Sequence, residues 1–156
     1  MTALLHRPWL ALLGFVALCE AAGLAGTIFT AQAIPEWYAV LNKPSFSPPN
    51  WLFGPVWTAL YFMMGTAAWL VWRRQGTAAL KVFWLQLALN AAWTPLFFGL
   101  QNPLAGLVCI VLMWLAIVWT IYGFWRVSRP AAWLLVPYLM WVSFATALNL
   151  AIYLLN

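Results

Sequence analysis

The stretch Pro103–Trp125, PLAGLVCIVLMWLAIVWTIYGFW, decides the fold class because it contains no charged side chain. A helix of about 20 apolar residues crosses the roughly 30 Å of hydrocarbon in a bilayer. Four similar stretches predict further helices, and the five together cover residues 9–30, 51–72, 82–101, 103–125 and 131–155. The sequence therefore predicts an all-α membrane protein. It forms one domain, 1–156, a five-helix transmembrane bundle with a structured loop rich in proline and tryptophan at 31–50.

The composition excludes the usual classes of soluble protein. Of the 156 residues, 67% are hydrophobic and 6% are charged, whereas a water-soluble domain has about 25% charged residues. Such a chain cannot cover a soluble catalytic domain or a nucleic-acid-binding face with polar groups. One His and two Cys cannot build a structural zinc site, which takes four ligands, or a disulfide framework. We expect no metal site and no resident cofactor.

The positive charges predict the orientation of the chain in the membrane, because Lys and Arg in short loops are retained on the cytoplasmic side. Five crossings place six cations on one side, and these are Arg7, Arg73, Arg74, Lys81, Arg126 and Arg129. Only Lys43 lies on the other side. We expect a cytoplasmic N-terminus, with the 31–50 loop and the C-terminus extracytoplasmic. The basic excess therefore sets topology and excludes nucleic acid as a partner, while contact with acidic membrane lipids stays open.

Polar and aromatic residues recur on one face of several predicted helices. The stripes are Glu20, Gly23 and Thr27; Trp57 and Tyr61; Gln86, Asn90, Trp93 and Phe97; and Tyr138, Trp141, Ala145 and Asn149. Lipid-facing surfaces disfavour Asn, Gln and Glu, so these faces should point into the bundle. They converge beneath the stiff loop, which predicts a shared cavity. The alternative is that the amides only join helices and the tryptophans only fill the core.

Glu20 lies near the middle of helix 1 and is the most costly residue to place in a membrane. It is either a ligand-pairing or proton-relay carboxylate, or a neutral acid bonded to a neighbouring helix. The residues leave both interpretations open.

Seven motifs carry a resemblance to a known family, in order Trp37-Tyr38, Lys43-Pro44-Ser45, Pro48-Pro49-x-Trp51, Gly54-Pro55-Val56-Trp57, Leu60-Tyr61, Gln86-Leu87-Ala88-Leu89-Asn90-x-x-Trp93-x-Pro95-x-Phe97-Phe98-Gly99 and Pro137-Tyr138-x-x-Trp141-x-x-x-Ala145-Thr146-x-x-Asn149. Over nearly the whole chain they closely resemble the TspO/MBR family of tryptophan-rich sensory and translocator proteins. The resemblance implies a five-helix receptor, commonly a homodimer, that binds porphyrins such as protoporphyrin IX and haem. Animal relatives also bind cholesterol and benzodiazepine-type drugs.

By position, the resemblance implies a ligand pocket built from Trp57, Asn90, Trp93, Trp141 and Ala145, with Tyr61 and the Trp37-Tyr38 pair nearby. Two departures from the family pattern stand out. Phe46 occupies a position where Trp is common. The animal sterol motif at the end of helix 5 is truncated after Tyr153, so sterol binding is not favoured, although Val118, Tyr122 and Arg126 match the same weak pattern in helix 4.

The function expected from these features is porphyrin binding in the sensing, transport or disposal of tetrapyrroles. The single His6 lies on the predicted cytoplasmic tail, so the metal-free porphyrin fits better than haem. An enzyme that degrades porphyrin in light, with Trp57 and Trp141 as its candidate catalytic residues, is one alternative. A sterol or lipid translocator is another. Lys43 would either pair with a propionate or only be solvated.

Overall fold

A computed structural model describes residues 7–156, which form five long α-helices and no β-strand. The helices are α1 (Pro8–Ala33), α2 (Phe53–Arg73), α3 (Thr77–Thr94), α4 (Pro103–Val127) and α5 (Arg129–Leu155). This confirms the predicted all-α bundle of five helices. The prediction about His6 concerns a residue outside the described range.

Within the described residues, four helical segments are long and apolar enough to cross a membrane: Pro8–Tyr38, Thr77–Gly99, Pro103–Val127 and Arg129–Leu155. α2 is not among them. Glycine, proline, threonine, tryptophan and tyrosine alternate with its apolar residues and lower its average hydropathy. α2 packs against both α1 and α5, so neighbouring helices cover much of its surface.

The predicted 31–50 loop is too long, because helix 1 continues past Ala33. A π-helical turn, Ile34–Tyr38, follows α1, and helical structure persists to residue 40. Pro35 has no backbone N–H to donate to the carbonyl four residues earlier, and the wider π-helical turn accommodates its ring, so the helix changes type without ending. A second π-helical turn, Pro95–Gly99, extends α3 in the same way. The remaining loop is 41–49, followed by a 3₁₀ turn at Asn50–Leu52.

Two other connections are also shorter than predicted. α3 begins at Thr77 rather than at residue 82, and a single residue, Ser128, separates α4 from α5. Hydropathy missed these helix ends because Thr77, Lys81 and Arg129 are polar. Each lies on the exposed surface of its helix, where a polar side chain does not oppose helix formation.

The helices form a closed ring in the order α1, α2, α5, α4, α3. Glycine allows the closest approach between α1 and α2: a Cβ added at Gly65 would lie 2.5 Å from the Cα of Val16. Toward the α2–α3 turn the ring is filled by buried apolar residues, among them Met64, Ala68, Phe83, Ile117 and Leu135. Toward the 41–49 loop it is not filled, and a cavity remains.

Candidate ligand-binding site

The cavity has a volume of about 460 Å³ and receives side chains from all five helices. Its end nearest the 41–49 loop, called the loop end below, is bounded by Tyr38, Asn50 and Phe53. Seven of the eight predicted binding residues line it, and these are Tyr38, Trp57, Tyr61, Asn90, Trp93, Trp141 and Ala145. The helical period and the alternating direction of the helices therefore bring these side chains to one place, as expected from the stripes.

A chain of buried hydrogen bonds joins α2, α3 and α5 at the edge of the cavity. The Tyr61 hydroxyl donates to Asn90 Oδ1 at 2.6 Å, and Asn90 Nδ2 donates to the Tyr138 hydroxyl at 2.7 Å. The Tyr138 hydroxyl in turn donates to Gln86 Oε1 at 2.8 Å. Gln86 and Tyr138 are buried outside the lining. Asn90 therefore joins helices by hydrogen bonds and also lies on the cavity wall.

Trp93 is fixed from two directions. Its ring stacks on Phe97 with centroids 5.0 Å apart, and its Nε1 donates to Asn149 Oδ1 at 3.2 Å. Asn149 Nδ2 donates to the carbonyl of Pro103 at 2.8 Å. The α3 wall of the cavity is therefore held in one orientation before any ligand arrives.

Trp57 and Trp141 line the cavity from α2 and α5. Trp57 stacks on Tyr61 with centroids 5.5 Å apart. Trp141 lies nearer the loop end, with its ring centroid 5.9 Å from that of Phe53. Among the described residues, Trp141 Nε1 is buried and has no hydrogen-bond partner. Since buried donors are nearly always paired in native proteins, this indole N–H is available to an acceptor on a ligand.

Trp37, the eighth predicted residue, does not line this cavity. Its ring makes edge contacts with Phe97 and Phe98, at centroid distances of 5.5 and 6.3 Å. It borders a separate cleft of about 330 Å³ together with Tyr153 and Asn156. Neighbouring residues of a helix point in different directions. Because the Trp37-Tyr38 pair lies in a helical turn instead of the predicted loop, only Tyr38 reaches the cavity.

Contacts that sequence reasoning missed hold the loop in place. Lys43 Nζ donates to the carbonyls of Tyr38, Leu41 and Ala39 at 2.7, 3.1 and 3.3 Å. All three donors of its ammonium group are thus used, and Lys43 caps the end of the extended first helix. No local pattern in the sequence signals this role.

A pair of asparagines ties the loop to the end of α5. The backbone N–H of Asn42 donates to Asn156 Oδ1 at 3.0 Å, and Asn156 Nδ2 donates back to the Asn42 carbonyl at 3.0 Å. The two residues are far apart in the sequence, so only the fold reveals the contact. The loop is therefore anchored on both the α1 and the α5 side of the bundle.

Glu20 also lines the cavity, from α1. Within residues 7–156 its carboxylate makes no hydrogen bond or ion pair, so the bond to a neighbouring helix that one of the two interpretations requires is not observed. The same residues contain no group of three His, Cys, Asp or Glu side chains that could hold a metal ion. The site is an aromatic cavity with one carboxylate on its wall.

Known proteins are similar to this sequence along most of its length. The sequence profile of the TspO/MBR family matches residues 15–155. The tryptophan-rich protein TspO of Chlorobaculum tepidum is 51% identical over 146 residues, covering 90% of this chain and 92% of that protein. The TspO of Archaeoglobus fulgidus is 51% identical over 139 residues, 87% of this chain and 90% of that protein. The translocator protein of Homo sapiens is 39% identical over 152 residues, 94% of this chain and 90% of that protein. On this evidence the chain belongs to the TspO/MBR family of membrane proteins.

Proposed function

We propose that this protein binds a tetrapyrrole, with metal-free protoporphyrin IX as its best-fitting ligand, inside the aromatic cavity. The observation that carries the proposal is the convergence of Trp57, Trp93 and Trp141 on one cavity of about 460 Å³. Sites for small molecules commonly have volumes of about 300–1,000 Å³ and apolar, aromatic walls with a few polar groups. Sensing, transport and disposal of a tetrapyrrole would all begin with this binding step.

Aromatic walls suit a flat macrocycle, because stacked rings gain roughly 0.5–1.5 kcal/mol per pair beyond the burial of apolar area. Trp57 and Trp93 are each braced by a second aromatic ring, at 5.5 and 5.0 Å. Such bracing limits the side-chain entropy that is lost when a ligand binds. No His or Cys lines the cavity within the described residues, which favours the metal-free porphyrin over ligation of haem iron.

A fluorescence titration with protoporphyrin IX in detergent or nanodiscs tests the proposal. Ala145 lies on the cavity wall, so Ala145→Phe should fill the space and reduce affinity by more than tenfold. Ala147→Phe is the matched control, because Ala147 is exposed on the same helix and outside the lining. If both variants bind as tightly as the wild type, the cavity is not the binding site.

A second candidate function is light-driven degradation of the bound porphyrin. It is favoured by the oxidisable indoles on the cavity wall, of which Trp57 and Trp141 are the candidate reactive groups. Phenylalanine also stacks on a flat ligand, but it is much harder to oxidise than tryptophan. Under illumination in air, Trp57→Phe and Trp141→Phe should therefore retain binding within a few-fold and lose product formation. Unchanged product formation in both variants would exclude these residues as the reactive groups.

A further inference from the structure

Glu20 is the one charged residue among the described residues that line the cavity. It lies on α1, at the opposite end of the cavity from the loop. Ile34, which also lines the cavity, follows fourteen residues later along the same helix, a separation of about 21 Å at 1.5 Å per residue. The two ends of the cavity therefore differ, because an acidic group lies only at the end far from the loop, called the inner end below.

Most donors that line the cavity near Glu20 already have partners. The Tyr61 hydroxyl has one proton, and it is donated to Asn90. Three further donors of the lining are paired, and their bonds are Thr27 Oγ1 to the Leu24 carbonyl, Thr58 Oγ1 to the Gly54 carbonyl, and Trp93 Nε1 to Asn149 Oδ1. Trp57 Nε1 and Thr94 Oγ1 also line the cavity; they make no hydrogen bond within residues 7–156, and neither donates to Glu20. The Glu20 carboxylate is thus left as an unused acceptor on the cavity wall.

Two further donors without a partner lie at the loop end of the cavity. Trp141 Nε1 is buried without a partner, and the Asn50 side chain makes no hydrogen bond within residues 7–156. Asn50 borders the loop end, and Trp141 is close to it through its contact with Phe53. The two ends of the cavity therefore offer opposite chemistry to a ligand: an acceptor at the Glu20 end and donors at the loop end.

Glu20 is half-buried in a helical segment that is apolar enough to cross a membrane, and a carboxylate removed from water is stable only if it is paired or neutralised. We infer that Glu20 is the specificity-determining residue of the cavity: it favours ligands that present a positively charged or N–H group at the inner end and disfavours ligands that present a carboxylate there. This inference rests on the proposed function. A dicarboxylate porphyrin accordingly binds with its propionates at the loop end, within reach of Asn50 and Trp141.

Three porphyrins with the same ring and different charges test this inference: protoporphyrin IX, its dimethyl ester, and its bis(aminoethyl)amide. Titrations use the wild type, Glu20→Gln, and Glu36→Gln. Glu36 is the matched control because it is the chain's other acidic residue, it is exposed, and it does not line the cavity. Both variants remove the same charge and nearly preserve the size of the side chain.

Glu20→Gln should weaken binding of the cationic amide by about tenfold or more, since a hydrogen bond to a charged partner is lost. It should change binding of the neutral ester by less than twofold, which also shows that the variant is folded. Protoporphyrin IX should bind Glu20→Gln at least as tightly as the wild type, and Glu36→Gln should match the wild type for all three. If Glu20→Gln leaves the affinity for the amide unchanged, or if Glu36→Gln lowers it equally, the inference is wrong.

The predicted orientation has its own test. Asn50→Leu should lower the affinity for protoporphyrin IX several-fold and leave the affinity for the dimethyl ester unchanged, because only the acid offers carboxylates at the loop end. Equal affinities of wild type and Asn50→Leu for protoporphyrin IX would refute the orientation. A wild type that binds none of the three porphyrins refutes the proposed function, and the inference with it.

Discussion

Adding one methyl group at Gly23 should both disturb the cavity and lower the free energy of unfolding of the bundle. A Cβ at this position would lie 2.2 Å from Cε2 of Tyr61, where ordinary contacts begin at 3.4 Å. The Tyr61 ring must therefore move by more than about 1 Å. It is buried, stacks on Trp57, and donates its hydroxyl proton to Asn90 at 2.6 Å. Such a shift breaks the hydrogen bond and disrupts the stack.

The expected loss of stability follows from these contacts. Leaving a buried polar group unsatisfied costs about 1–3 kcal/mol, and a lost aromatic pair costs roughly 0.5–1.5 kcal/mol. Alanine is better than glycine in a helix by about 1 kcal/mol. Gly23→Ala should therefore lower the free energy of unfolding by about 1–3 kcal/mol. It should also reduce affinity for protoporphyrin IX, because Gly23 and Tyr61 both line the cavity.

Gly14→Ala is the control, since Gly14 is on the same helix and a Cβ there would meet nothing within 4 Å. Unfolding in detergent, followed by tryptophan fluorescence, compares the two variants. A double-mutant cycle with Tyr61→Ala adds a second check, because the cost of Gly23→Ala should disappear once the ring is absent. If Gly23→Ala is as stable as Gly14→Ala and binds porphyrin normally, the proposed packing of Tyr61 is wrong.

Three further predictions concern topology, self-association and the loop. We expect a cysteine at Ser45 to react with a membrane-impermeant reagent added outside intact cells or spheroplasts, and one at Thr77 not to react; the reverse pattern would refute the orientation proposed from the charges. We expect a homodimer through α3, where Ala88 is exposed and Ala92 is half-buried, because small residues let two helices approach closely. The double variant Ala88→Leu with Ala92→Leu should therefore abolish the dimer in detergent, and a folded double variant with unchanged dimer content would exclude this face. Lys43→Met removes three hydrogen bonds to backbone carbonyls and should speed hydrogen exchange of residues 41–49 several-fold, whereas unchanged exchange would show that the cap does not stabilise the loop.

The sequence by itself determined the all-α class, the number of helices and the level of the cavity. Hydropathy and the helical period are local properties, so a continuous apolar run predicts a helix, and a spacing of three or four residues places Asn90 beside Trp93 on one face. Since successive helices run in opposite directions, positions near the same depth could be matched between α2 and α5. That these residues bind a ligand stays a prediction.

Only the tertiary structure decided how the individual polar groups are used. Helix 1 passes Pro35 as a π-helical turn, which sends Trp37 away from the cavity and Tyr38 into it. The Asn42–Asn156 contact joins the loop after the first helix to the end of the last helix. The Tyr61 hydroxyl is directed to Asn90 on another helix, and Glu20 makes no hydrogen bond within residues 7–156. Hydrogen-bond geometry between distant residues depends on helix rotation and spacing, which no local pattern encodes.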